Sequence, residues 1–242
     1  MGIVVFNGVS SRDYGIEVET FPTYEIPERE YESIHVPGRN GDVIIDNGTY
    51  KNVSGKYKVS IATWNKISFT QKMAGVAKWL HSASGYARLE DSYAPEIYRM
   101  AYYNKALSIE NLFNQAGRGT IEFICKPQRF LKRGEFPVEF TGTGKIQNGT
   151  DNIALPKILV TTDNTVGTVT VGAATVAIAA GAGTNIILDS ELQDAYTALG
   201  ANKNSVVTLQ QGMFPVLYPG ENVVAITGGV TKIEIIPNWW II

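Results

Sequence analysis

The 242-residue chain has one cysteine, two histidines and no arginine after Arg133. Each shortage removes a class of function. A lone Cys125 excludes an intrachain disulfide framework and agrees with folding in a reducing compartment. It sits in the alternation Ile121-Glu122-Phe123-Ile124-Cys125, where a small buried strand residue is expected rather than a reactive thiol. His35 and His81 are far apart in the chain, neither has a second histidine or a cysteine at metal-ligand spacing, and no Gly-x-Ser-x-Gly elbow supplies a nucleophile. Neither catalysis, nor a metal, nor a cofactor is expected. No apolar run approaches the ~20 residues of a membrane span. Met1–Phe6 has neither the basic segment nor the long apolar core of a secretion signal, so the expectation is a chain made in the cytoplasm with no membrane partner.

The charge is close to neutral, at −2, but unevenly divided. Residues 1–133 hold 17 Lys+Arg against 14 Asp+Glu, and residues 134–242 hold 4 against 9, so the two parts carry +3 and −5. This shift places a domain boundary near Lys132-Arg133-Gly134, giving domains at 1–133 and 134–242. It also argues against sequence-specific nucleic-acid binding, which needs a clustered basic footprint.

Hydrophobic periodicity reads as mainly β with one helix. Tyr57–Ala62, Gly119–Phe123 and Val230–Ile235 alternate apolar and polar residues, as half-buried strands do. Between Ser68 and Ser82 the period changes: Phe69, Met73, Val76, Ala77 and Leu80 form one helical stripe, with Ser68 and Gln71 as a capping box and Gly85 near the end. Trp64 and Trp79 are expected in the core of this first part. After Gly134, strand-like runs at 156–162, 165–171, 175–179, 185–188, 206–209, 223–227 and 231–236 read as a β-sandwich, and 190–205 as a helix-turn.

Candidate chemistry in the second part is weak. Gly142-Thr143-Gly144-Lys145 has Ile146 where a phosphate loop needs Ser or Thr, and is read as a loop. Asp189, Glu191 and Asp194 lack the further ligands of a calcium loop and are read as a surface turn. The sequons at Asn47, Asn52 and Asn148 are read as turns. Trp239 and Trp240 are candidates for stacking on sugar rings, with Ile241 and Ile242 beside them arguing that at least one packs inward.

The most tightly specified segment is Pro27–Asp42, a charged strand followed by Val36-Pro37-Gly38-Arg39-Asn40-Gly41-Asp42. Pro37 fixes one backbone angle, and Gly38 and Gly41 permit positive φ. An extended hairpin over Val43–Val59 with Asn47-Gly48 at its tip is expected to follow. The Val-Pro-Gly-Arg-x-Gly turn resembles that of the distal tail proteins of long-tailed, non-contractile bacteriophages. The likeness includes Phe6–Ile16, with its Asn-Gly turn and Ser-x-Asp-Tyr-Gly corner, and Gly48-Thr49-Tyr50. Ala77–Leu80, Leu89–Asp91, Phe123–Pro127, Leu155–Ile158 and Pro219–Asn222 follow in the family's order.

The resemblance implies an N-terminal split-barrel-like, ring-forming domain and a C-terminal galectin-like or carbohydrate-module-like sandwich. It implies a virion protein of the tail tip: a hexameric hub ring joining the tail tube protein to the tip or tail-associated lysin protein, with the receptor-binding protein as a further partner. The ring and tube surface is expected at Arg29, Glu30, Glu32, His35, Pro37, Gly38, Arg39 and Asp42, which cannot all be buried in one monomer. The alternative is a saccharide-binding sandwich using Trp239 and Trp240. Some relatives insert a long arm into the sandwich, and the 109 residues from Gly134 to Ile242 leave no room for one.

Overall fold

The computed structural model describes residues 2–62, 68–112 and 116–242, so Trp64 lies outside the described residues. The chain divides into two compact units, Met1–Arg129 with Ile242, and Phe130–Ile241. Its strands and helix are, in order, β1 (Val4–Phe6), β2 (Val9–Ser10), β3 (Ile16–Val18), β4 (Thr23–Tyr24), β5 (Arg29–Ile34), β6 (Val43–Tyr50), β7 (Val53–Ala62), α1 (Phe69–Leu80), β8 (Ala87–Asp91), β9 (Ile97–Tyr102), β10 (Ile109–Leu112) and β11 (Ala116–Leu131). The second unit continues with β12 (Val138–Phe140), β13 (Gly144–Asn148), β14 (Lys157–Val171), β15 (Ala174–Ile178), β16 (Asn185–Asp189), β17 (Asp194–Tyr196), β18 (Val207–Leu209), β19 (Gly220–Ile236) and β20 (Trp240–Ile241).

The first unit is a curled antiparallel sheet in the order β2-β1-β8-β9-β11-β7-β3, with β10 on β11 and β4 on β7. Alternation decides which side is core. Along β7, Val53, Gly55, Tyr57, Val59 and Ile61 are buried, and along β11, Ile121, Phe123 and Cys125. Phe123 is the hub of the interior, with Phe6 at 4.9 Å, Tyr103 at 5.8 Å and Tyr57 at 6.1 Å between ring centres. Helix α1 is capped by Ser68 and Gln71 as its sequence requires, and ends at Leu80 with His81 as C-cap rather than at Gly85. It lays Val76, Trp79 and Leu80 on this core, while Ala77 faces solvent. Trp79 satisfies its buried indole N–H on the Phe6 carbonyl, at 3.2 Å, and stacks on Tyr14.

β5 and β6 leave this sheet and form a two-stranded sheet of their own. The hairpin expected at Val43–Val59 is thereby corrected: β6 pairs back with β5, Ile34 opposite Val43, and the tip is the Pro37–Gly41 turn. Asn47-Gly48 instead sits in a bulge, where the register jumps from Tyr31–Asp46 to Arg29–Tyr50. Gly48 takes φ +72° there and donates its N–H to Asp46.

The second unit is built on β14 and β19, each the union of two runs that look separate in the sequence. Buried residues of β14 are Ile158, Val160 and Thr162, then Gly167, Val169 and Val171, so the inward phase flips across 163–166. The same flip separates Asn222 and Val224 from Ile233 and Ile235 in β19. A bulge accommodates it, with register shifts between Thr161 and Gly167. Before the bend β14 pairs with β16, after it with β15, and throughout with β19. The paired strands thus pass through both layers of a sandwich around one core that includes Ile158, Val169, Leu188 and Ile233. Two expectations are corrected here. The segment 190–205 contains β17 and a short 3-10 turn at Asn204–Val206 rather than a helix-turn. Asp189 is buried, not a surface acid.

The bend depends on glycine at a point of backbone contact. Gly228 has φ +61°, and a Cβ there would lie 2.4 Å from the Val166 carbonyl oxygen. Gly228→Ala is therefore expected to lose about 2 kcal/mol or more, from the left-handed backbone and the displaced β14 bulge together. Gly212→Ala, with φ +68° but nothing within 4 Å, loses only the backbone part. Urea unfolding of the two variants against the parent tests this; equal losses would show that the strand crossing is not tight.

Candidate functional site

Neither strand of the hairpin from Arg29 to Tyr50 carries a buried residue. Its base is closed where Lys51 N–H donates to the Glu28 carbonyl at 2.9 Å and Lys51 Nζ meets the Glu28 carboxylate at 3.1 Å. At its tip Arg39 N–H donates to the Val36 carbonyl at 3.1 Å, with Pro37 first in the bend and Gly38 second at φ +83°. Those are the demands of a type II turn. Gly41, at φ +79°, completes the reversal.

The charged residues brace the hairpin internally. Arg29 Nε donates to both Asp46 oxygens, at 3.0 and 2.8 Å, and Arg29 Nη1 donates to the Tyr50 hydroxyl at 3.1 Å. Ser33 Oγ donates to Asp42 at 2.7 Å, His35 Nδ1 lies 3.2 Å from the other Asp42 oxygen, and Thr49 donates to Glu30 at 2.9 Å. The Arg29 bonds and the Gly48 N–H hold the Asp46 carboxyl below its ordinary range, and Ser33 and His35 do the same for Asp42. Among the described residues, Glu32 and Arg39 make no side-chain hydrogen bond or ion pair.

What the hairpin presents outward is aliphatic. Glu32 opposes Ile45 and Ile34 opposes Val43 on one face, while Tyr31 opposes Asp46 and Ser33 opposes Ile44 on the other. Tyr31, Ile34, Val36, Ile44 and Ile45 are all exposed, Ile44 to 58%. Apolar groups therefore occupy both faces. An isolated two-stranded hairpin is at best marginally stable in water, and its free strand edges are templates for another chain. Arg29, Glu30, Glu32, His35, Pro37, Gly38, Arg39 and Asp42 all fall on this one element, whereas Tyr31, Ile34, Ile44 and Ile45 were missed by a reading that weighted charge. Their signal was the run Val43-Ile44-Ile45 facing a strand with few apolar residues.

The second unit places its candidates differently. Trp239 is buried in the core, and Trp240 is half-buried with its indole N–H donated to the Ile153 carbonyl at 2.9 Å. Trp239 has no free ring face for a sugar. Asn148 is a buried turn former, accepting from Thr150 N–H at 2.9 Å and donating to the Leu217 carbonyl at 3.0 Å. Asp189 accepts from Glu191 and Leu192 N–H, each at 3.2 Å, from the Tyr196 hydroxyl at 2.9 Å, and pairs with Lys157 at 3.1 Å. Burial raises its pKa, but the Leu192 N–H, Lys157 and Tyr196 outweigh it and the carboxyl falls below 3.8.

The family model of the phage tail protein RIFT-related domain matches residues 10–125. Among solved structures, the Dit protein (gp 19.1) of SPP1, a paradigm of the hub adsorption apparatus in phages infecting Gram-positive bacteria, aligns over 100% of both chains with TM-score 0.75 and 14% identity. The phage p2 baseplate in its activated conformation with Sr aligns over 97% of this chain and 96% of that one, with TM-score 0.52 and 9% identity. No curated protein matches the sequence.

Two outcomes follow from this geometry. Gly38→Val finds open space but cannot hold φ +83° without strain of about 1–3 kcal/mol, so the Arg39–Val36 bond should open. Amide exchange at Arg39 should rise while the unfolding midpoint of the rest stays put, because the hairpin adds nothing to either core; an unchanged Arg39 amide would contradict the turn. Asp189→Asn should lose about 1–3 kcal/mol at neutral pH. A carboxylate with a lowered folded pKa stabilises above its ordinary pKa and loses that effect as pH falls through the lowered one. The difference between parent and variant should thus shrink below about pH 4, as read by unfolding at a series of pH values.

Proposed function

We propose that the chain, which matches the phage tail protein RIFT-related domain over residues 10–125 and has the fold of the SPP1 Dit protein, is a structural hub of the phage tail tip whose copies close into a ring. The observation that carries this is the Arg29–Tyr50 hairpin, braced within itself and apolar on both faces. A contact between the hairpin of one copy and a different surface of the next is heterologous, and such contacts give a finite ring when the rotation closes. The hairpin edges offer main-chain hydrogen bonds to a neighbouring sheet, and Ile44 and Ile45 offer apolar area. Six copies form the ring, with the tail tube protein on one side and the tip or lysin protein on the other. The second unit is then a compact outer module without an arm for the receptor-binding protein. The protein resides in the virion and its role is mechanical.

Size-exclusion with light scattering and negative-stain microscopy on the purified chain test this. The expected particle is a closed ring with the mass of about six 26.4-kDa chains. Ile44→Glu combined with Ile45→Glu should give monomers with an unchanged unfolding midpoint. Rings that survive the double variant would place the contact elsewhere, and a monomer both in concentrated solution and in purified tails would end the ring reading.

A further inference from the structure

At one end of the first core, β9 buries an arginine, Arg99, and β11 brings a half-buried one, Arg129, to the same hollows. Arg99 on β9 shares its face with Ala101, and Arg129 on β11 shares its face with Phe123 and Cys125. The strands are neighbours in the sheet. Arg99 is only 7% exposed, and Tyr24 lies against its guanidinium at 4.9 Å. Two adjoining hollows of about 30 and 70 Å³ share Tyr24, Arg99 and Arg129 as walls.

Two guanidinium groups offer N–H donors to these hollows, and the acids that share the lining have their oxygens engaged by other donors. Asp91 is saturated: one oxygen accepts the Tyr24 and Tyr57 hydroxyls at 2.8 and 3.0 Å, the other the Tyr93 and Ala94 N–H groups at 2.9 and 3.0 Å. Glu25 lines the larger hollow but spends its carboxylate on Ser54 N–H and Lys56, both at 3.0 Å. Burial pushes the Cys125 thiol up to about 11 despite the charge of Arg99 and the hydrogen bond Arg99 makes to it, so the thiol stays neutral and occupies one Arg99 donor. Burial and the bond to Asp91 likewise keep the Tyr24 hydroxyl protonated. Arg129 donates one N–H to the main-chain oxygen of Ile242, which leaves most of its five donors. Burial, then the Arg99 charge, lower its own pKa.

We propose that Arg99 and Arg129, with Tyr24, form a binding site for one small oxyanion, a phosphate or a carboxylate. Guanidinium groups bind both with paired N–H donors. A hollow of about 70 Å³ exceeds what a single water needs and suits one such group. Its lining includes Glu25, Ile26 and Pro27, the segment that leads from β4 into the hairpin strand β5. Anion binding would therefore fasten the root of the hairpin. The occupant is either a free ion or an acidic side chain of a docked chain, and the inference stands apart from the ring reading.

The test is thermal unfolding and calorimetric titration of the full chain at fixed ionic strength, with inorganic phosphate in one arm and N-acetylaspartate amide in the other, against chloride. A midpoint rise of several degrees at about ten times the dissociation constant is expected in at least one arm. The stronger arm identifies the source, free phosphate or side-chain carboxylate. Arg129→Gln, and Arg99→Met where it folds by circular dichroism, should weaken binding at least about tenfold, while Lys145→Gln, whose partner is Glu221 in the second unit, should leave it unchanged. No response in either arm up to about 50 mM overturns the proposal. So does a response retained in Arg129→Gln, or binding that emerges only when Ile242 is deleted.

Discussion

The first unit depends on the antiparallel pairing of β7 with β11, unbroken from Ala116–Ala62 to Cys125–Val53. Strand residues alternate sides with a period of two, so this register alone sets Tyr57, Val59 and Ile61 against Ile121, Phe123 and Cys125 on one face. A slip of one residue would turn Lys56, Lys58 and Glu122 inward. Beyond that pairing β11 runs on past Cys125 to the half-buried Arg129. It also anchors the hairpin at both ends: β4 pairs with Lys56 and Gly55 just before the chain leaves, and the chain returns from β6 directly into β7 at Val53. An element with no core of its own is thus rooted on the most constrained strand of the unit.

Local signals were legible where one residue type has one physical use. The Ser68–Gln71 capping box, the Pro37-Gly38 turn and the buried strand position of Cys125 are of this kind. What could not be read was pairing. Asn47-Gly48 is a strong hairpin-tip signal, yet here it fills a bulge, because the Pro37–Gly41 turn reverses the chain first and commits β6 to β5. The long strands of the second unit were hidden for a related reason. A bulge flips the inward phase of both β14 and β19, and a pattern that loses its period midway reads as two short strands rather than one bent one. The buried Asp189 was misjudged because its partners, Lys157 and Tyr196, come from other strands.

The candidate site shows the same limit in chemical form. A charged strand next to a turn suggested a polar interface, but charges with partners across a two-stranded ribbon satisfy one another and become part of its stiffness. Arg29 with Asp46 and Tyr50, and Asp42 with Ser33 and His35, are bonds within one element. Exposed pairs of this sort contribute little to stability, but they limit how far the strands can twist or slide, and so fix the positions of Ile34, Ile44 and Ile45. Rigidity at an interface lowers the ordering cost of association.

Sequences that specify a fold agree with themselves at every level, and departures from that agreement concentrate where a protein meets something else. The first unit departs twice. On the hairpin, aliphatic side chains are exposed on both faces of a ribbon that buries nothing; at the end of the core, guanidinium groups are turned inward onto a carboxylate already filled by two tyrosines and two amides. Neither arrangement serves the isolated monomer, since one leaves apolar area in water and the other leaves guanidinium N–H groups facing acids whose oxygens are already engaged. The segment from Tyr24 to Pro27 joins them, with one end against Arg99 and the other entering β5. A change at the arginine pair therefore acts on the hairpin through four residues of backbone, and what fills the small polar hollow bears directly on how the large apolar ribbon is held.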